Sequence, residues 1–435
     1  MPDQPDFFAH PIINSPYACP QRHWELDESG QPTQQIKATR RSARFITPIP
    51  KPKKGGDRQR VMLPKDGIST QEQEYDPTPI INHVRQLVSI WRSLPESAWN
   101  VTPETARLLR HWRTYDFPGL RPFFCQIEAV ETIIWLHEVA PGTKEGKRII
   151  ELLKQVNDAA NPGLVRTALK LATGAGKTTV MAMLIAWQTV NAVRRPSSKN
   201  YSRGFLVITP GITIKDRLQI LQPNHPDNYY TNRQLVPQDL LPEVMQAKIV
   251  ITNFHAFKLR ERLDLSSGGR ALLQGRTGQP INTLETEGQM LQRVIPDLMA
   301  LKQVMVLNDE AHHCYRERPA DASEETLENE DKEQAEHNRW AARLWISGIE
   351  SLSSRMQTRV IDLSATPFFL AGSGYKEGTI FPWTISDFSL MDAIECGIVK
   401  LPRVPVAENI PGGDMPVYRD LWENIRKDMP KKGRG

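Results

Sequence analysis

Residues 172–178 combine residue types and a spacing that suit phosphate binding. They read Ala-Thr-Gly-Ala-Gly-Lys-Thr, after the strand-like run 164–171 and before the helix-like run 178–192. The glycines let the backbone curve around phosphate oxygens, and the free N–H groups of a helix start attract anions. Lys177 supplies charge for the β and γ phosphates, and Thr178 a hydroxyl for Mg²⁺. The pattern predicts an ATP-binding P-loop, although Leu171 replaces its first glycine.

The expected nucleotide contacts extend over the whole loop. From this segment they are Thr173, Gly174, Ala175, Gly176, Lys177, Thr178 and Thr179. A Gly-rich turn with a solvated lysine is the alternative interpretation.

Two adjacent acids, Asp309 and Glu310, follow the apolar run 304–307. Acids at the end of a buried strand are costly unless a cation lies nearby, and Mg²⁺ bound to nucleotide phosphates is such a cation. Asp309, with Thr178, is predicted to hold the metal, while Glu310 orients and deprotonates the attacking water. The predicted catalytic residues are therefore Glu310, Asp309 and Lys177. An exposed acidic turn is the alternative.

Five strand-like runs carry their polar or glycine residues at the carboxyl end. They are residues 164–171, 205–208, 249–251, 304–307 and 359–363. Ligands of open parallel α/β sheets bind at the carboxyl ends of the strands. The sequence therefore predicts an α/β fold with a parallel sheet flanked by helices.

Three segments, in their order along the chain, resemble motifs I, II and III of DEAH-type superfamily two helicases: 172–178, Asp-Glu-Ala-His at 309–312, and Ser-Ala-Thr at 364–366. The longer segments 307–316, 362–370 and 393–400 are similar to the helicase-like Res subunit of type III restriction enzymes. The resemblance covers residues 120–405. It implies a RecA-like P-loop domain that uses ATP and Mg²⁺ to move on DNA in a restriction–modification system.

The resemblance also assigns roles to residues outside the P-loop. Gln126 lies where the family reads adenine, and a glutamine amide offers one donor and one acceptor to that base. His312 would bridge motifs II and III, while Ser364 and Thr366 would couple the ATP site to the nucleic-acid face. A surface glutamine at a helix start is the alternative for Gln126.

Five further residues match motifs Ia and Ib, which contact the nucleic-acid backbone in the family. They are Pro210, Gly211, Thr213, Thr252 and Asn253. Backbone N–H, hydroxyl and amide groups bind phosphate without reading sequence. Ordinary strand-end turns remain the alternative.

Composition is that of a globular protein, with 435 residues, 39% hydrophobic residues and a net charge of +5. The apolar stretch 180–187 is far shorter than the roughly 20 residues that span a bilayer, and the N-terminus lacks signal-peptide features. Four scattered cysteines favour a reducing compartment over disulfides or structural zinc. We therefore expect a cytoplasmic protein with no membrane partner.

The chain divides into four predicted parts. Residues 1–75 form a Pro-rich, basic extension, 76–118 a helical lead-in, 119–396 the RecA-like domain and 397–435 a linker. In the lead-in, helices are predicted at 80–94 and 103–112, with Thr102 as the N-cap of the second. The basic stretch 37–60 is interpreted as a solvated linker or as an arm on phosphates. The acidic stretch 321–336 is predicted to be an exposed loop.

Some parts that the family resemblance implies are expected to lie outside this chain. Superfamily two enzymes place ATP between two RecA-like domains, and the second supplies an arginine finger. Only 69 residues follow Thr366, and no convincing nuclease pattern occurs. We therefore expect a second motor domain, a nuclease domain and a methyltransferase subunit as partners. The alternatives are a nucleotide-binding fragment without autonomous turnover and an RNA helicase.

Overall fold

A computed structural model describes residues 6–27, 30–44, 76–261, 284–318 and 329–401. The strands are β1 (His23–Leu26), β2 (Pro32–Lys37), β3 (Arg166–Leu171), β4 (Gly204–Thr209), β5 (Lys248–Asn253), β6 (Gln303–Asp309), β7 (Gln357–Ser364) and β8 (Thr384–Phe388). The first six α-helices are α1 (Thr78–Ser93), α2 (Pro103–Thr114), α3 (Phe124–Ile134), α4 (Lys144–Ala160), α5 (Lys177–Arg194) and α6 (Ile212–Arg217). They are followed by α7 (Tyr229–Asn232), α8 (Leu241–Val244), α9 (Glu287–Val294), α10 (Asn329–Ser353) and α11 (Leu390–Glu395).

Six of these strands form one parallel sheet in the order β5-β4-β6-β7-β3-β8. All five strand-like runs of the sequence lie in it, which confirms the predicted RecA-like α/β fold. The sixth strand, β8, was not predicted, because its sequence Thr-Ile-Ser-Asp-Phe is short and polar. It pairs with β3 at the edge of the sheet, and Thr384, Ile385 and Phe388 are buried there, so pairing in the folded chain and not a local apolar run makes this segment a strand.

Apolar side chains alternate between the two faces of the sheet. In β4, Phe205 and Val207 pack with the core that contains α5, whereas Leu206 and Ile208 pack with the core that contains α10. Because successive side chains of a strand point to opposite faces, a fully apolar strand supplies apolar side chains to the cores on both faces of the sheet. Helix α5 is correspondingly buried at every position from 179 to 191.

Two helices lie in the segment proposed as a lead-in, α1 (Thr78–Ser93) and α2 (Pro103–Thr114). Helix α2 begins after Thr102, whose hydroxyl accepts a hydrogen bond from the Thr105 backbone N–H at 3.1 Å. This N-cap satisfies one of the free donors of the first turn.

The N-terminal extension contains structure that the sequence analysis missed. Strands β1 and β2 pair antiparallel, and Trp24 of β1 is fully buried. Arg40 Nη1 donates to Glu128 Oε1 at 2.7 Å, and Arg41 pairs with Glu395. Both interpretations of the basic stretch, linker or phosphate arm, are therefore wrong for these two arginines. The partners of both arginines are buried acids far away in the sequence, which no local pattern reveals. Residues 45–60 of the basic stretch lie outside the described part of the chain.

The acidic stretch 321–336 also differs from the prediction. Helix α10 begins at Asn329, so the last eight residues of the stretch are helical and not loop. Glu, Lys, Gln and Ala are strong helix formers, and the buried Ala335 anchors this turn. Residues 319–328 lie outside the described ranges, as do residues 402–435 of the predicted linker.

All four cysteines are free, and they lie within the described ranges. Among the helices described, none combines the length and the apolar character needed to cross a membrane.

Candidate functional site

The glycine-rich turn between β3 and α5 has a conformation that requires glycine. Gly174 and Gly176 have φ angles of +84° and +83°, which L side chains rarely adopt. A Cβ on Gly176 would lie 2.2 Å from Gln126 Nε2. The turn therefore brings its backbone close to α3 and opens directly into the first residue of α5, Lys177.

Gln126 braces this turn. Its side chain is buried, and Nε2 donates to the Ala175 carbonyl at 2.8 Å, while Oε1 accepts from the Phe123 N–H at 3.0 Å. Both ends of the amide are thus bonded to the protein in this structure. The adenine contact expected from the family stays a prediction, because each end of the amide can form a second hydrogen bond but the residue is only 4% exposed.

Lys177 and Glu310 meet across the carboxyl edge of the sheet. Lys177 Nζ donates to Glu310 Oε1 at 2.6 Å, and the two side chains are 11% and 27% exposed. Glu310 has a φ of +51°, an uncommon value for a residue with a side chain. Such local strain is typical of functional positions, and here it turns the carboxylate toward the P-loop lysine.

Asp309, the last residue of β6, is 7% exposed, and no described residue donates to its buried Oδ1. Burial raises the pKa of Asp309 to about 6; Lys177 opposes this shift and Glu310 adds to it. A buried carboxylate oxygen without a donor suits a hard cation such as Mg²⁺. The hydroxyl of Thr178, in the first turn of α5, is the second ligand that the sequence predicts, and it is partly exposed.

The three predicted coupling residues lie together at the ends of β6 and β7. His312 Nδ1 is 2.9 Å from Ser364 Oγ, which also accepts from the Thr366 backbone N–H at 3.0 Å. Burial lowers the pKa of His312 to about 4, with His313 and Lys177 acting in the same direction and Glu310 opposing. A neutral imidazole therefore links the segment after Glu310 to the last residue of β7, Ser364.

A buried polar network beneath these motifs escaped the sequence analysis. Arg166 is fully buried, and its Nε donates to Asp362 Oδ2 at 2.9 Å. Asn308 Nδ2 donates to the other oxygen of Asp362 at 2.8 Å, and Trp383 Nε1 donates to Oδ2 at 2.8 Å. The signal available in the sequence was a single polar residue among apolar ones, Asn308 in β6 and Asp362 in β7. A polar side chain that is buried in a strand needs a hydrogen-bond partner, so each of these residues indicates a buried network.

The residues predicted to form motifs Ia and Ib lie at neighbouring strand ends. Thr209, at the end of β4, is in register with Asn253 at the end of β5. Thr213 is exposed in α6, whereas Thr252 is 8% exposed and its hydroxyl donates to the Asn253 carbonyl at 3.3 Å. Pro210 and Gly211, like Asn253, are partly buried. The fold thus brings both segments to one edge, but Thr252 offers little surface to a ligand.

Two comparisons with known proteins bear on these motifs. A model of the family described as type III restriction enzyme, res subunit, matches residues 120–369, which is more than half of the chain. No curated protein matches the chain. The matched range includes the turn before α5, the acids at the end of β6 and the predicted coupling residues, whereas β8 lies beyond it. The chain therefore belongs to the Res subunit family of type III restriction enzymes, whose members share a helicase-like ATP-binding motor domain.

Proposed function

We propose that this chain is the ATP-binding motor domain of a DNA translocase in a type III restriction enzyme. The observation that carries the proposal is the arrangement at the P-loop. A lysine is paired with the motif II glutamate at 2.6 Å, beside a buried aspartate oxygen that no described residue bonds. These are the groups that phosphoryl transfer from Mg²⁺·ATP requires.

The P-loop residues would bind the nucleotide phosphates. Gly174 and Gly176 allow backbone N–H groups to face the oxygens, and the start of α5 favours negative charge. Lys177 would exchange its bond with Glu310 for the terminal phosphates. Glu310 would then be free to orient a water molecule and accept its proton.

Asp309 and Thr178 would hold the magnesium ion. Bound Mg²⁺ neutralises phosphate charge and aligns the terminal phosphoryl group. The unbonded Oδ1 of Asp309 supports this role, because an ionised oxygen buried without a partner is unfavourable. His312 and Ser364 would respond to the nucleotide bound at this end of the site, because their side chains lie 2.9 Å apart directly beyond Glu310.

DNA is the proposed track because the family matched is one of restriction enzymes. The strand ends that carry Pro210, Gly211, Thr213 and Asn253 would contact phosphates. Competition between DNA and RNA oligonucleotides of the same sequence tests this choice against an RNA helicase. Preferential displacement of bound DNA by RNA would favour that alternative.

A nucleotide-binding module without autonomous turnover is a second candidate. The described residues form one RecA-like sheet, whereas the transition state of phosphoryl transfer is commonly stabilised by an arginine worth about 10³–10⁵ in rate. In this superfamily that arginine comes from a second RecA-like domain. We propose that such a domain, a nuclease domain and a methyltransferase subunit are the protein partners. Slow ATP turnover by this chain, accelerated when a second motor domain is added, would support this dependence.

Titration with a fluorescent ATP analogue and Mg²⁺ tests the nucleotide site. Lys177→Ala should abolish binding, because it removes the charge that faces the terminal phosphates. Lys147→Ala is the matched control, since this lysine is exposed on α4 and its loss should leave affinity unchanged. Equal affinity of wild type and Lys177→Ala would refute the assignment.

A further inference from the structure

Trp340 differs from the other tryptophans that the structure describes. Eight of them are at most 7% exposed, whereas Trp340, on α10, is 43% exposed. A tryptophan ring carries a large apolar area, so leaving it in water forgoes substantial burial. Core packing therefore does not explain why a tryptophan occupies position 340.

Two histidine rings flank this tryptophan. The centroid of Trp340 lies 5.5 Å from that of His255, with an interplanar angle of 39°, and 6.2 Å from that of His337. Both histidines are exposed. We name Trp340, His255 and His337 the aromatic surface. It presents three flat rings, all of which reach solvent, within one small area.

The aromatic surface rests on a rigid support. His255 stacks on Phe254 at 4.0 Å, and Phe254 in turn stacks on the fully buried Trp345 at 5.2 Å and 5°. Trp345 Nε1 donates to Asn308 Oδ1 at 3.1 Å, directly before the motif II acids. The rings of His255 and Trp340 both contact Phe254 and are therefore supported by the core, so a ligand would not have to order these two rings.

The position of the aromatic surface points to a nucleic-acid ligand. Phe254 and His255 follow Asn253, the end of β5 where motif Ib lies. Lys258 and Arg260 are exposed in the next residues and supply positive charge on that side. Glu336, one helical turn before Trp340, is exposed on the other side. Phosphates would therefore follow the β5 side, with a base directed toward the rings.

We propose that the aromatic surface is a stacking site for an unpaired DNA base. The inference rests on the proposed function, since it extends the nucleic-acid path from the strand ends onto α10. Indole and imidazole rings stack on the π-face of any base, which suits a motor that must bind every sequence it crosses. Lysine and backbone contacts to phosphate would hold the strand, and the rings would hold the base.

Fluorescence anisotropy with a labelled oligo(dT) of about 12 nucleotides tests the site. Trp340→Ala should weaken binding on the order of tenfold, which is within the range for loss of one stacked base. Trp340→Phe should retain most of the affinity, because it keeps a flat ring. Ile90→Ala is the control, since Ile90 is 61% exposed on α1, outside the aromatic surface, and should bind as wild type does.

An abasic oligonucleotide of equal length separates stacking from a general structural effect. Wild type should bind oligo(dT) more tightly than the abasic strand, and Trp340→Ala should lose that preference while binding the ATP analogue normally. Unchanged oligo(dT) affinity in Trp340→Ala, or an unchanged preference over the abasic strand, would overturn the stacking site and leave the proposed function intact. Failure of wild type to bind any DNA would instead refute the DNA track itself.

Discussion

Replacing Glu310 with glutamine should tighten ATP binding. In the structure Lys177 Nζ donates to Glu310 Oε1 at 2.6 Å, so the terminal phosphates must compete with this carboxylate for the lysine. Glu310→Gln keeps the shape of the side chain and removes its charge. The lysine would then be held by a neutral amide oxygen, which is the weaker acceptor.

The size of the effect follows from the exposure of the pair. The side chains are 11% and 27% exposed, so the pair is neither fully solvated nor fully buried. Exposed ion pairs contribute about 0–1 kcal/mol to the free energy of folding, and hydrogen bonds to charged groups contribute about 1.5–3 kcal/mol. A loss of about 1 kcal/mol in the competing bond corresponds to an ATP dissociation constant roughly fivefold lower.

Titration of a fluorescent ATP analogue into wild type and Glu310→Gln measures this change. Glu317→Gln is the matched control, because it makes the same charge change where Glu317 pairs with Arg339 and Arg343. The control should leave the affinity unchanged. Weaker binding by Glu310→Gln would mean that Glu310 supports the nucleotide, and the proposed exchange of partners would be wrong.

Two further predictions concern stability. Arg166→Met should lower the free energy of unfolding by about 3–5 kcal/mol, because it leaves the buried Asp362 without its cation. Urea unfolding followed by tryptophan fluorescence should show partial recovery in Arg166→Met/Asp362→Asn, which removes the buried charge and keeps an oxygen that can accept from Asn308. Burial by itself would raise the pKa of Glu128, but Arg40 and Arg92 outweigh it and lower the pKa to about 2, from an ordinary value of 4.5. The stability that Glu128 contributes, about 3 kcal/mol, is thus present above pH 4.5 and is lost as the pH falls toward 2. Urea midpoints measured across this range should fall less in Glu128→Gln than in wild type, and equal slopes would contradict the pairing.

The sequence by itself determined the central sheet and the order of its motifs. Three of the five runs, 205–208, 249–251 and 304–307, are wholly apolar and are followed by polar residues, which is typical of strands buried on both faces. The P-loop follows from local chemistry, since Gly174 and Gly176 adopt a conformation available mainly to glycine. Because parallel strands end at one edge, the sequence also predicted that Lys177 and Glu310 lie on the same side of the sheet.

Only the tertiary structure decided which distant residues pair. Arg166 and Asp362 are 196 positions apart, and Arg41 and Glu395 are 354 apart. Nothing in a local pattern identifies such partners, because an arginine has the same propensities whether it is solvated or bonded to a buried acid.

The same limit applies to β8, to the β1–β2 pair and to the amide of Gln126. The residues of β8 become a strand through pairing with β3, and Gln126 is held by the Ala175 carbonyl 49 positions away. The sequence fixes local backbone preference and apolar periodicity, which act over a few residues. Burial, and with it the pairing of charges, depends on which surfaces the folded chain brings together.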